Sequence, residues 1–284
     1  VHRRWTTALL AVAALVALAC KEGGASADPD PPSGSTPPRG DLPSSMAALG
    51  DSVTSGFGTC LTLVKCHRNS WSTGDSARVD SHYRRIKRDN EAIDDRAFNY
   101  SVPGARASGL TAQARQAVQS KVEYVTVLIG ANDACRATVA DMTPVASFRS
   151  SVDEALAVLK KGLPKARVLV VSIPDLNRLW QIGHQDEGAV KAWRKGVCPA
   201  LLANATSTAK ADADRRAAVG KRVDGYNSQL AAACKAYGKR CVYDGGAVHK
   251  FRFTLDMLNR LDYFHPDTEG QHKLAEVTFG RAFR

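Results

Sequence analysis

The triplet Gly-Asp-Ser occurs twice in this chain, as Gly50-Asp51-Ser52 and as Gly74-Asp75-Ser76. A serine hydroxyl is a poor nucleophile until a base takes its proton, and the base needs a third group to orient it. The oxyanion formed on attack needs donors aimed at it. Asp262 and His265, in Asp262-Tyr263-Phe264-His265-Pro266, supply a carboxylate and an imidazole three residues apart. That spacing lets the carboxylate reach Nδ1 and leaves Nε2 for a serine. Asn132 can donate from its carboxamide, and Gly104 can bring a bare backbone N–H close to a ligand. Acyl transfer is the chemistry that these groups could do together. The base must be neutral imidazole, so turnover is expected to rise with pH through about 6–7.

Such groups need elements that bring them to one place. Apolar runs at 46–50, 98–102, 124–130, 167–174 and 240–246 read as strands, several of them apolar on both faces. Helical patterns at about 108–120, 145–162, 212–237 and 269–282 lie between and after them. Strands alternating with helices predict a three-layer α/β/α domain around a central parallel sheet. In such sheets functional residues collect at the carboxyl ends of strands.

That rule separates the two triplets. Ser52 directly follows a predicted strand, and Asn132 and Gly104 follow two others. Ser76 follows a segment without strand character, where Asp75 or Thr73 is expected to cap a helix. Asp80 and His82 are then expected on one polar helix with Ser76. Pro266 keeps His265 out of the last helix, and Thr268 with Gln271 fits a capping box for that helix. His67, His184 and His272 are read as surface residues.

Four segments together resemble the SGNH hydrolases, also called GDSL esterases and lipases. They are Gly50-Asp51-Ser52-Val53, the glycine block from Asn99 to Gly104, Gly130-Ala131-Asn132-Asp133 and Asp262-Tyr263-Phe264-His265, in the family's order over about 220 residues. Val53 stands where the family name has leucine, and Pro103 where a serine or other small residue is common. The resemblance implies a flavodoxin-like α/β/α fold with Ser52 as nucleophile, His265 as base and Asp262 as its orienter. It also implies an oxyanion hole from Gly104, Asn132 and the Ser52 N–H. It looks closest to secreted actinobacterial esterases and lipases with three disulfides. It implies no cofactor and no metal, and a substrate that is a carboxylic ester or lipid. Phe57, Leu179, Trp180 and Phe264 are candidates to line an acyl pocket. The rival readings are a polysaccharide O-deacetylase and an inactive, surface-anchored binding protein. No Gly-x-Ser-x-Gly occurs, which argues against the nucleophile elbow of α/β-hydrolases.

The rest of the 284 residues sets the context. A basic start and an apolar run from Ala8 to Ala19 read as a secretory signal within 1–27, too short for a spanning helix. Cys20 allows a lipid-anchored form instead of free secretion. Residues 28–45 hold half of the chain's 12 prolines and read as a solvated linker before a hydrolase domain at 46–284. Without Cys20 six cysteines remain, which suggests three disulfides in an exported chain. Sequential pairing is expected, Cys60–Cys66, Cys135–Cys198 and Cys234–Cys241, because the first and third pairs are close in sequence. Their spacings do not match a zinc pattern. The formal charge of +11 comes from residues interleaved with acids, so no nucleic-acid partner is expected. A monomer is expected.

Overall fold

A computed structural model describes residues 42–60 and 62–283. The expected signal, Cys20 and the linker through residue 41 lie outside the described residues. The sheet is built from β1 (Met46–Gly50), β2 (Ala97–Asn99), β3 (Tyr124–Leu128), β4 (Arg167–Val170) and β5 (Cys241–Tyr243). All neighbours pair in parallel, in the order β2-β1-β3-β4-β5. This is the flavodoxin-like strand order, whose switch point lies between β1 and β3.

Among the described residues ten α-helices occur, in chain order α1 (His82–Asp89), α2 (Leu110–Gln119), α3 (Ala131–Ala134), α4 (Val145–Gly162), α5 (Asn177–Gly183), α6 (Glu187–Trp193), α7 (Pro199–Leu202), α8 (Lys210–Tyr237), α9 (Ala247–Lys250) and α10 (Thr268–Ala282). Because strand side chains alternate, Ala47, Leu49, Val125, Val127, Val168 and Val170 share one buried face, under α2, α4 and α8. Met46, Tyr124, Leu128 and Leu169 share the other, with α1 and α10. Both faces are apolar because both are covered, as a parallel sheet requires. Phe148 of α4 stacks on Tyr226 of α8 with ring centroids 4.2 Å apart, which locks two of the covering helices together.

The strands stop earlier than their apolar runs. Ile129 and Ile173 are buried, yet they lie beyond the ladders, while Val171 ends one, its N–H bonded to the Val127 carbonyl at 2.9 Å, before the chain enters the loops at the sheet's carboxyl edge. Four residues counted with the linker belong to the fold. Leu42 is buried, and the Ser45 carbonyl accepts the Tyr124 N–H at 3.1 Å.

Three local readings are corrected. α1 starts at Ser81, whose hydroxyl accepts the Arg84 N–H at 3.2 Å, and not at Thr73 or Asp75. Asp80 takes a left-handed φ of 48°, which breaks the chain between the Ser76 turn and the helix. His82 is therefore no polar-face residue. It is fully buried between the Tyr124 hydroxyl and Thr278 Oγ1, each at 2.8 Å, and burial lowers its pKa to about 3. α10 is capped by Asp267, whose carboxylate accepts the Gly270 N–H at 2.9 Å, and not by Thr268.

The cysteines pair in sequence order, Cys60–Cys66, Cys135–Cys198 and Cys234–Cys241. The second ties the turn after α3 to the start of α7, across 63 residues, beside a backbone bond from Ala200 N to the Arg136 carbonyl at 2.9 Å. Replacing Cys135 and Cys198 together by serine is expected to lower unfolding stability by about 2–5 kcal/mol, read from urea midpoints.

Candidate active site

The site forms where β1 ends. After Gly50 the chain turns at once into a helical turn, closed by Ser55 N to the Asp51 carbonyl at 3.1 Å and Phe57 N to the Ser52 carbonyl at 3.0 Å. Gly50 has φ +152°, and a Cβ there would run into the Leu128 carbonyl and the Thr54 hydroxyl. Only glycine fits between these strands at that point.

Two buried glutamines hold this turn from both sides. Gln113 of α2 accepts the Gly50 N–H at 2.7 Å and donates to the Gly50 carbonyl at 2.9 Å. Gln271 of α10 donates to the Val53 carbonyl at 2.8 Å and accepts the Trp71 N–H at 2.9 Å. The Gln271 side chain thus braces the serine turn instead of closing a capping box, because it faces inward on the same side as Leu274, Ala275 and Thr278.

Ser52 Oγ lies 2.8 Å from His265 Nε2, and His265 Nδ1 lies 2.7 Å from Asp262 Oδ2. The other Asp262 oxygen accepts the backbone N–H groups of Phe264 and His265, at 2.9 and 3.1 Å. One carboxylate therefore fixes both the imidazole and the turn that carries it. The ring lies between Phe57 and Phe264, with centroids 4.8 and 5.0 Å away.

Gly104 follows β2 in the turn Val102-Pro103-Gly104-Ala105, closed by Ala105 N to the Val102 carbonyl at 2.9 Å. With Gly104 at φ +80°, Pro103 sits where a type II turn favours proline. The departure at Pro103 thus stiffens the turn that presents Gly104. Nothing would meet a Cβ at Gly104 within 4 Å, so its backbone faces open space. Among the described residues, neither the Ser52 nor the Gly104 N–H donates to another group. Asn132 of α3 gives one amide hydrogen to the Ala105 carbonyl at 3.1 Å, which leaves the other to point elsewhere.

Two further carboxylates lie under the site. Asp51 is buried and accepts the Val53 N–H at 3.0 Å. Burial pushes its pKa up to about 7, opposed by that bond and by attraction to His265, and assisted by the charge of Asp133. Asp133 accepts the Ala107 N–H at 2.9 Å, which joins the Gly104 loop to the Asn132 turn, and burial raises its pKa too.

The structure brings Ser52, His265, Asp262, Gly104 and Asn132 to one edge of the sheet. It leaves Ser76 elsewhere, in a turn where its N–H bonds to the Arg68 carbonyl at 3.0 Å. Of the acyl-pocket candidates, Leu179 and Phe264 line a narrow apolar cleft beside the serine, with Val53, Ala131, Phe253 and Leu258, and Phe57 covers the imidazole. Trp180 does not reach the cleft. It follows Leu179 around α5 and packs against His184 and the Arg216 guanidinium.

A family model for GDSL-like lipase/acylhydrolase matches residues 46–278. This chain belongs to that family. It is 26% identical over 193 residues to rat membrane-associated phospholipase B1, an alignment spanning 55% of this chain and 13% of that protein. Its fold is similar to that of a GDSL-like lipase from Parabacteroides merdae, with TM-score 0.53, 14% identity and coverage of 84% of this chain and 95% of the other. An acetylxylan esterase from Geobacillus stearothermophilus is similar at TM-score 0.52 and 14% identity, over 84% and 94% of the two chains.

Gln113 and Asp51 are supports that residue spacing alone left unassigned, and Gln271 is one that spacing assigned to a helix cap. The signal for Gln113 was a polar residue on the apolar face of α2, among Leu110, Ala114 and Ala117. Gln113→Leu would strand the Gly50 N–H, while the Gly50 carbonyl keeps the Val102 N–H, and a loss of about 1–3 kcal/mol is expected in urea unfolding. For Asp51 the sign follows from its raised pKa. Between about pH 4 and pH 7 the folded chain holds a proton that the unfolded chain releases, so this group's stability is present below pH 4 and is lost as pH rises through 7. Asp51→Asn keeps an acceptor for Val53 and is expected to gain stability over the parent chain as pH rises from 4 to 8, measured by denaturation at fixed pH.

Proposed function

We propose that this hydrolase cleaves short- to medium-chain acyl esters, including lipid esters, through an acyl-enzyme on Ser52. The observation that carries the reading is the unbroken chain from Ser52 Oγ through the His265 imidazole to Asp262, beside N–H groups with no other partner. Ser52 Oγ attacks the carbonyl carbon as its proton passes to His265 Nε2. The oxyanion takes hydrogen bonds from the Ser52 and Gly104 N–H groups and from Asn132. Collapse breaks the bond to the alcohol, which leaves with the proton from His265. Water then repeats the sequence on the acyl-serine and releases the acid. The Asp262 carboxylate holds the Nδ1–H tautomer and stabilises the imidazolium formed at each step.

The apolar lining of the cleft favours an acyl chain over an acetylated sugar. Its free interior volume of about 40 Å³ suits the first few carbons of that chain. Export, with cleavage of a signal within residues 1–27, is part of the same proposal. It is supported by the basic start, the apolar run after it and the disulfides, and likeness to secreted actinobacterial members rests on the same features.

Hydrolysis of p-nitrophenyl esters from acetate to palmitate tests the reading. Ser52→Ala and His265→Ala are expected to lose about 10³-fold or more in kcat/KM, and Asp262→Asn roughly 10⁴-fold in kcat. Ser76→Ala is expected to match the parent. The rate should peak at short to medium chains. Full turnover in Ser52→Ala, or its loss in Ser76→Ala, would overturn the assignment.

A further inference from the structure

Four large aliphatic side chains stay exposed among the described residues: Leu63 (41%), Val64 (51%), Val102 (52%) and Leu261 (52%). Single exposed aliphatics are ordinary on a protein surface. These four are not scattered. Leu63 and Val64 lie in the loop closed by Cys60–Cys66, just after the Ser52 turn. Val102 begins the Gly104 turn and donates its N–H to the Gly50 carbonyl at 3.1 Å. Leu261 precedes Asp262. Each therefore stands on a loop that carries a part of the catalytic arrangement.

The loops are held rigidly. Gly58 N donates to the Val64 carbonyl at 3.0 Å, and the Asn259 amide bonds to the Gly58 carbonyl. The same Asn259 accepts the Leu261 N–H at 2.7 Å, so one buried side chain ties the Leu63–Val64 loop to the Leu261 loop. Aliphatic groups on fixed loops are thus kept in water at the mouth of the site, where folding gives them nothing to cover.

Charge on these loops has one sign. Lys65, Arg68, Arg106 and Arg260 are exposed, while Asp262, the acid among 57–68, 102–106 and 258–265, is buried. The nearest exposed acid along the chain from Arg260 is Asp256, outside that set. Aliphatic tips with cations around them match a surface that offers hydrocarbon beneath negative headgroups. No helix among the described residues is long and apolar enough to cross a membrane.

We propose that this rim seats the enzyme on an anionic lipid surface, with Leu63, Val64, Val102 and Leu261 in the headgroup layer and Lys65, Arg68, Arg106 and Arg260 on the negative charge. The apolar cleft then opens toward the layer from which an acyl ester would enter. The proposal rests on the ester-hydrolase reading for its purpose, since it names the form in which that substrate is met.

The full chain carrying Ser52→Ala is sedimented with vesicles of phosphatidylcholine alone, or of equal parts phosphatidylcholine and phosphatidylglycerol, at low and at high salt. Partition is expected to be on the order of tenfold stronger on the anionic vesicles and to weaken with salt. Adding Leu63→Ser, Val64→Ser and Leu261→Ser is expected to lower it by about tenfold or more. The same three substitutions in the Ser52 chain should leave turnover of soluble p-nitrophenyl acetate within about twofold. Both binding chains carry the apolar segment Ala8–Ala19, so its contribution cancels in the comparison. Equal partition of the two chains would overturn the proposal, as would a dimer in solution that the three substitutions dissolve. Failure of the hydrolase reading is distinct, because it would appear as an inert parent chain on every soluble ester while the sedimentation result stood.

Discussion

A chain leaving the carboxyl end of a central strand must reverse while its backbone polar groups remain buried and bonded. At Gly50–Val53 that constraint is met by a glycine with no side chain to clash and by two glutamines that replace the ladder bonds the turn gives up. Gln113 comes from a helix on one face of the sheet and Gln271 from a helix on the other. The Ser52 turn is thus suspended between both outer layers, and its position depends on the whole three-layer packing. Every other distance in the site is measured from that turn.

Burial does different things to the carboxylates grouped here. Asp262 is offered two backbone N–H groups and an imidazole, so its negative charge is fully met by donors. Asp51 has one N–H in a dry setting and is pushed toward its neutral form. Asp133 likewise spends one oxygen on the Ala107 N–H, and its other oxygen is buried without a partner. Asp262 is the one with the most donors, while burial raises the pKa of the two beneath Ser52, that of Asp51 to about 7.

Around this centre, the loops are cross-linked to one another and to the core. Cys60–Cys66 closes the segment after the serine, Cys135–Cys198 fixes the one after Asn132, and Asn259 ties the serine loop to the histidine loop. These links hold the turns that carry the uncommitted Ser52 and Gly104 N–H groups. They also hold aliphatic side chains out at the rim, which the same rigidity prevents from folding back to cover the site.

Local pattern and residue type were enough for several features of this protein. Apolar runs covered on both faces gave the parallel sheet, and the 3.6-residue periodicity of 145–162 matches α4 at both ends. The position of Ser52 after β1 and the Asp262–His265 spacing are local, so both could be read directly, as could the pairing of cysteines close in sequence. Strand ends were overestimated because burial continues past the last ladder bond, and periodicity reports burial alone. Tertiary structure decided the rest. His82 looked like a polar helix residue and is a neutral core side chain, since partners 42 and 196 residues away meet its two ring nitrogens. Gln271 looked like a cap and is a brace, because its partners at Val53 and Trp71 lie about 200 positions earlier. A side chain's hydrogen bonds go to whatever the packed layers bring near it, and no short stretch of sequence contains that information.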